Sequence, residues 1–240
     1  RRYPALCTKE MPKQQARQGL LFLVLRDTMQ AINLNLIERI YMLDRTIPFY
    51  NTILRCDHYQ HREVVLPYGF SIVPYEKGFE KGWAELEYAI GDFDSLDEAE
   101  HYFVETYLQN QALFSNILFL LSPDKSVVGS CIAWQDKRQN SYVSSLHWLV
   151  VAEKYHGMGL GRALCCAVMN IYKAQEKLPV YIHTQPWSWK AIFLYLSLGF
   201  KLQKSDSFSH YVNQYDEAMT TLKKVVAEKQ VSLLEELSES

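Results

Sequence analysis

Three glycines at alternate positions, Gly157, Gly159 and Gly161, interrupt the chain between an apolar, strand-like run and a helix-periodic one. Among and around them stand His156, Met158, Leu160, Arg162 and Ala163. Glycine lets the main chain turn tightly and approach a ligand closely, and the first N–H groups of a new helix have no partner within it. A strand, a glycine turn and a helix start in that order make a cradle for an anion, and a pyrophosphate is the natural guest. A Walker loop would need Gly-Lys-Ser/Thr, so that the lysine reaches the outer phosphates and the hydroxyl holds magnesium. Here Gly161 is followed by Arg162 and Ala163. A dinucleotide fingerprint would need glycine at Arg162 or at Leu164, and neither position has one.

Further along, Ala191, Leu194, Tyr195, Gly199 and Phe200 lie in the segment AIFLYLSLGF, at the end of a short helical pattern. In this order and at this separation, the two segments resemble the GNAT superfamily of acetyl-CoA-dependent N-acetyltransferases. That family's loop reads Gln/Arg-x-x-Gly-x-Gly/Ala, and its later segment commonly reads Asn-x-x-Ala-x-x-Leu-Tyr-x-x-x-Gly-Phe. The chain departs from the pattern at His156, where the family usually has Gln or Arg, and at Ser188, where it usually has Asn. A histidine still donates one hydrogen bond to a phosphate, with a charge that depends on pH near neutrality. The resemblance implies an α/β (α+β) fold, a mixed and mostly antiparallel central sheet flanked by helices, over residues 69–212. It also implies acetyl-CoA as cosubstrate and no metal.

Acetyl transfer to an amine needs a place for the coenzyme's phosphates, a donor for the thioester oxygen, a base for the amine and a proton for the departing thiolate. The resemblance gives the first to residues 156–163 with Ser188, the second to the main chain of Leu149, Val150 and Val151, and the fourth to Tyr195. A phenol near pKa 10 is a weaker acid than a thiol near 8.5, so full proton transfer is uphill by about 2 kcal/mol and a strong hydrogen bond is the safer description. The base stays open. Period-two alternation places Ser145, His147, Leu149 and Val151 on one strand face unless a bulge intervenes, and His147 is the titratable one among them. His183, at the end of the next strand, is a second candidate. Either histidine also reads as a partly buried structural residue. Cys165 and Cys166, adjacent within the helix after the loop, read as small hydrophobes rather than nucleophiles, so transfer is expected to be direct. The competing class is a catalytically silent CoA-binding module acting as a sensor or interaction domain.

The elements that must position these residues follow from periodicity. Residues 1–65 read as a helical extension, with helices at 15–32 and 34–56, the latter broken near Pro48. A strand at 69–75, a helix at 76–93 and a second helix opened by a Ser95/Glu98 capping box come next. Strands at 117–121, 127–135 and 142–151, joined by short turns, argue for antiparallel neighbours. Leu160, Ala163, Leu164, Ala167, Val168, Ile171 and Tyr172 recur at the spacing of one buried helix face, and Pro179 closes that stretch. A strand at 180–183, a helix at 188–198, a closing strand or hairpin edge at 201–212 and a peripheral helix at 214–238 complete the chain. The domains expected are thus 1–65, 66–212 and 213–240.

With 240 residues and 48% hydrophobic content the chain can bury one substantial core. A net charge of -2 gives no footprint for nucleic acid or an anionic membrane. Five cysteines without metal-ligand spacing point to a reducing compartment. The apolar run at 20–25 is too short to span a bilayer and has no cleavage pattern, so a cytoplasmic location is expected. Glu80, Glu85, Glu87, Asp92, Asp94, Asp97, Glu98, Glu100 and Glu105 face only Lys81 in their stretch. That pattern suits either a solvated helical face or the attraction of a cationic amine, small molecule or peptide. Apolar faces on the terminal helices suit a homodimer.

Overall fold

The computed structural model describes residues 44–239. The helix expected at 15–32 lies outside the described residues. The elements are β1 (Thr52–Cys56), β2 (Ser71–Pro74), α1 (Phe79–Ala89), α2 (Leu96–Tyr107), β3 (Ile117–Leu121), β4 (Val127–Arg138), β5 (Ser141–Val151), α3 (Leu160–Ala174), β6 (Val180–Thr184), α4 (Trp189–Ser197), β7 (Lys201–Gln203), α5 (Tyr215–Val225), α6 (Glu228–Glu236) and β8 (Ser238–Glu239). The strands make one sheet in the order β2-β3-β4-β5-β6-β1-β7-β8. All neighbours are antiparallel except β5 with β6 and β7 with β8. This is the mixed, mostly antiparallel sheet expected.

Apolar side chains cover both faces of the sheet, as its strands' near-continuous hydrophobic runs require. On one face Leu118, Leu120, Cys131, Ala133 and Leu146 pack with Leu160, Leu164 and Val168 of α3 and Ile192 and Leu196 of α4. On the other face Ile117, Phe119 and Ile132 pack with Trp83 and Ala84 of α1 and with Ala99, Phe103 and Tyr107 of α2. The start of α2 is capped as expected: Ser95 Oγ accepts the Glu98 N–H at 3.1 Å. In return the Glu98 carboxylate accepts the Asp94 N–H at 3.2 Å rather than that of Ser95.

Four expectations change. The stretch 52–56, expected to be helical, is β1, paired on one side with β6 and on the other with β7. Its alternation decides this: Leu54 and Cys56 enter the core beneath α3 and α4, whereas Ile53 joins Tyr181 and Phe208 on the opposite face. The sheet therefore takes a central strand from upstream of residue 66. On α3, Cys165, Cys166 and Met169 are buried while Ala167 and Ile171 are half-buried, and the helix stops at Ala174, short of Pro179. The closing strand is only Lys201–Gln203, and the segment after it is held by Asn213 Nδ2, which donates to the Gln203 and Asp206 carbonyls at 2.8 and 2.7 Å.

The fourth change concerns the C-terminus, which is not a single peripheral helix. It is a pair, α5 and α6, whose Met219, Leu222 and Leu234 enter the core, followed by β8 extending the sheet beside β7. Leu234→Ala is accordingly expected to cost about 3 kcal/mol in denaturant unfolding, the magnitude of a core truncation. A change within about 0.5 kcal/mol would mark α6 as a surface appendage.

Candidate functional site

The site is organised by a fault in the β4–β5 ladder. Ser130 faces Val150, but Ile132 faces His147, so β5 carries one residue more than β4 over this stretch. Trp148 absorbs it with a φ of 48°, the left-handed region that a bulky residue rarely enters. Ser130 Oγ donates to the displaced Trp148 carbonyl at 3.3 Å. The bulge divides the face expected from alternation. His147 stays on the α1/α2 side, beside Tyr107 and Trp134, while Leu149 and Val151 pack into the core on the α3/α4 side.

The same bulge opens the sheet. β5 and β6 run parallel but pair only at Ser144 with Val180 and Ser145 with Tyr181. Beyond that point both strands continue, to Val151 and Thr184, without a ladder between them. Main-chain groups of Leu149, Val150 and Val151, on the side away from β4, thus border a gap in the ladder ahead of the glycine loop.

At the end of β5 the chain turns through Gly157 and Gly159, both with a φ of 79°, and Gly159 caps α3 in the left-handed conformation. A Cβ at either glycine would meet no heavy atom within 4 Å, so the space in front of the loop is open. Backbone conformation, not crowding, asks for glycine here. The first bond that the helix closes runs from the Ala163 N–H to the Gly159 carbonyl at 3.0 Å. The N–H groups of Leu160, Gly161 and Arg162 are left without a helical acceptor, which fits a pyrophosphate. Met158 is exposed at the tip, and Leu160 and Ala163 are buried beneath.

His156 is engaged with the main chain. Its Nε2–H donates to the Val151 carbonyl at 2.7 Å and ties the loop to the end of β5. Nε2 is thereby committed, and the loop's main-chain N–H groups remain as donors for a phosphate. Ser188 lies on the β6–α4 connection, where its Oγ accepts from Gln185 Nε2 at 3.0 Å. Tyr195, on α4, is buried. Burial, and then the neighbouring Cys165 and Cys131, push its phenol well above the usual range. The thiol of Cys165 is also pushed up, by burial and then by Cys131, which removes it as a thiolate nucleophile.

The structure gives His147 partners that sequence reasoning missed. Its Nε2–H donates to Asp136 Oδ2 at 2.7 Å, and its Nδ1 lies 3.0 Å from the Tyr107 hydroxyl. Ser145 Oγ donates to the same Asp136 oxygen at 2.6 Å. Burial works to raise the Asp136 carboxyl, but hydrogen bonds to His147 and Ser145 and the charge of His147 outweigh it and hold the group below its usual range. The signal was in the sequence: Ile132, Trp134 and Asp136 share a face by alternation, and β4 extends to Arg138, past the expected end at residue 135.

His183 shares this face of the sheet. Its Nε2–H donates to Asn51 Oδ1 at 2.8 Å, and its ring stacks on Tyr211 with centroids 3.7 Å apart. Burial, then the charges of His210 and His147, lower its pKa to about 4. The acidic stretch upstream is partly committed to the fold: Glu87 is buried and pushed well up by burial and by Asp92, and Asp92 pairs with Arg45.

A histidine held at about 4 when folded and near 6.5 when unfolded binds fewer protons in the native state between those values. Its share of stability is therefore intact above pH 6.5, drains away as pH falls toward 4, and is constant below. Unfolding titrations of the wild type and His183→Gln are expected to diverge across that window, by about 3 kcal/mol at its lower end. Parallel curves would contradict the assignment.

The sequence profile of the acetyltransferase (GNAT) family matches residues 76–200. No curated protein matches the chain. Among solved structures, a GCN5-related N-acetyltransferase from Sphaerobacter thermophilus superimposes with a TM-score of 0.50 at 18% identity, covering 64% of this chain and 48% of its own. An acetyltransferase of the GNAT family from Colwellia psychrerythraea does so with a TM-score of 0.50 at 10% identity, covering 65% of this chain and 54% of its own. The chain thus spans about half the length of each, and at such identities the likeness is one of fold. With a profile match over more than half of its length and the same fold in these neighbours, the chain belongs to the GNAT family of acetyltransferases.

Proposed function

We propose that this chain is an N-acetyltransferase that moves an acetyl group from acetyl-CoA directly to an amine of a small molecule or peptide. The observation that carries this reading is the gap between β5 and β6, opened by the bulge at Trp148 and ending at the glycine loop, with His147 on one side of the sheet and Tyr195 on the other. Acetyl-CoA, when bound, supplies an activated acyl thioester. The N–H groups at residues 160–162 hold its pyrophosphate, and the main chain of Leu149, Val150 and Val151, on the side away from β4, holds its arm and polarises the acyl oxygen.

The amine approaches over the face that carries His147, between the tyrosines of α2 and the segment bearing Tyr211. An alkyl amine is mostly protonated at neutral pH and must lose that proton before it attacks. His147 takes it. As the ring becomes imidazolium, the Tyr107 hydroxyl turns from donor to acceptor at Nδ1, and the Asp136 carboxylate balances the new charge at Nε2. His183, neutral and weakly basic at pH 7, serves better as a wall of the amine site than as the base. On the other side Tyr195 stays a phenol throughout the physiological range, so it acts as a hydrogen-bond donor to the departing sulfur rather than as a full proton donor. Those carboxylates of α1 and α2 that stay in solvent suit a cationic amine as well as a plain solvated face.

Free thiol released from acetyl-CoA across a panel of amines tests the reading. Tyr195→Phe is expected to lower kcat by roughly 10²-fold and to leave coenzyme affinity within about twofold. Asp136→Asn should lower kcat comparably. Coenzyme binding without thiol release from any amine would support the sensor reading instead.

A further inference from the structure

Five arginines lie among the described residues. Arg45, Arg55 and Arg138 each pair with a carboxylate. Arg62 and Arg162 pair with none among the described residues, and these two stand side by side. Arg162, in the first turn of α3, turns its side chain toward the end of α4, where Nη2 donates to Ser197 Oγ at 2.7 Å. Arg62 Nη1 donates to the carbonyl of the same serine at 3.3 Å. Both are exposed, and the Cys166 thiol, raised by burial, feels both charges pulling it back down.

This convergence is held in place. Arg62 comes from the irregular segment after β1, and Asn170 of α3 grips its backbone twice: the Arg62 N–H donates to Asn170 Oδ1 at 3.1 Å, and Asn170 Nδ2 donates to the Arg62 carbonyl at 2.8 Å. The end of α4 is in turn close to the glycine loop, since a Cβ on Gly161 would lie 3.7 Å from Leu194 Cδ2. Bringing two guanidinium groups together with no counter-charge among the described residues is unfavourable, and each uses one of its five N–H donors on Ser197. A tetrahedral dianion placed between them would engage the planar donor edges of both.

We propose that Arg62 and Arg162 form a second anion site beside the glycine loop, which takes the 3′-phosphate monoester of coenzyme A while the loop takes the pyrophosphate. This rests on the coenzyme reading of the loop and adds the residue that reads the far end of the molecule. It also gives the segment upstream of β2 a part in binding. The alternative is that Arg62 only caps the last carbonyl of α4.

Calorimetric titration of the full chain with coenzyme A and with 3′-dephospho-coenzyme A separates the two. The wild type is expected to bind coenzyme A roughly tenfold more tightly, and less so as salt is raised. Arg62→Gln should bring the two affinities within about twofold by weakening coenzyme A alone, and Arg162→Gln, an independent variant, should also shrink the difference. Equal affinities in the wild type, or a preference that survives in Arg62→Gln, would overturn the proposal and leave the coenzyme reading standing. Failure of both compounds to bind would overturn the coenzyme reading and the proposal together.

Discussion

One extra residue in β5 sets the terms for everything around it. Where β5 bulges against β4, Trp148 is held in a left-handed backbone conformation, a strain that persists only because its surroundings fix it. Its indole packs against Trp83, with centroids 5.4 Å apart, and against Phe93 and Tyr102 at 5.7 and 5.6 Å. That aromatic cluster anchors α1 and α2 to the sheet and supplies the packing that offsets the strain. Two consequences follow from the same displaced residue. The strand leaves the ladder with β6, so a sheet that is otherwise continuous opens, and the alternation of side chains changes phase, so His147 and Leu149 face opposite ways.

The polar groups of the site divide along that opening. On the α1/α2 side, Asp136, Ser145, His147 and Tyr107 satisfy one another, and His183 is held between Asn51 and Tyr211. A closed network of this kind fixes ring orientation and tautomer, because each nitrogen of His147 already has a partner whose donor or acceptor role is set. On the loop side the situation is reversed: main-chain N–H groups at the start of α3 and two arginines at the end of α4 stand without an acceptor of opposite charge among the described residues. The protein therefore presents a pre-set proton site to one face and unmet demand for anions at the other.

What could be read in the sequence was what local pattern controls. The glycine loop and α3 were legible because glycines and a helical repeat are written in consecutive residues, and the Ser95 cap because its two partners are three positions apart. β1 was not, since Thr52–Cys56 is covered on both faces, with only Arg55 half-buried, and so lacks the polar–apolar alternation that marks a half-exposed strand. His147 was legible as a titratable group on the right strand, but its partners lie 11 and 40 residues away and depend on where β4 ends and how α2 packs. The bulge itself leaves no mark in composition, and it alone decides which side chains of β5 share a face. Arg62 was invisible for a similar reason, being 108 residues from the asparagine that holds it.

The central claim is that coenzyme enters the gap made by the bulge and is held by main-chain groups on both sides of it. Amide hydrogen exchange, with and without saturating coenzyme A, tests that most directly. The account predicts slowed exchange confined mainly to the amides of residues 149–151 and 157–162. Unchanged exchange at 149–151, with protection elsewhere in the chain, would contradict it.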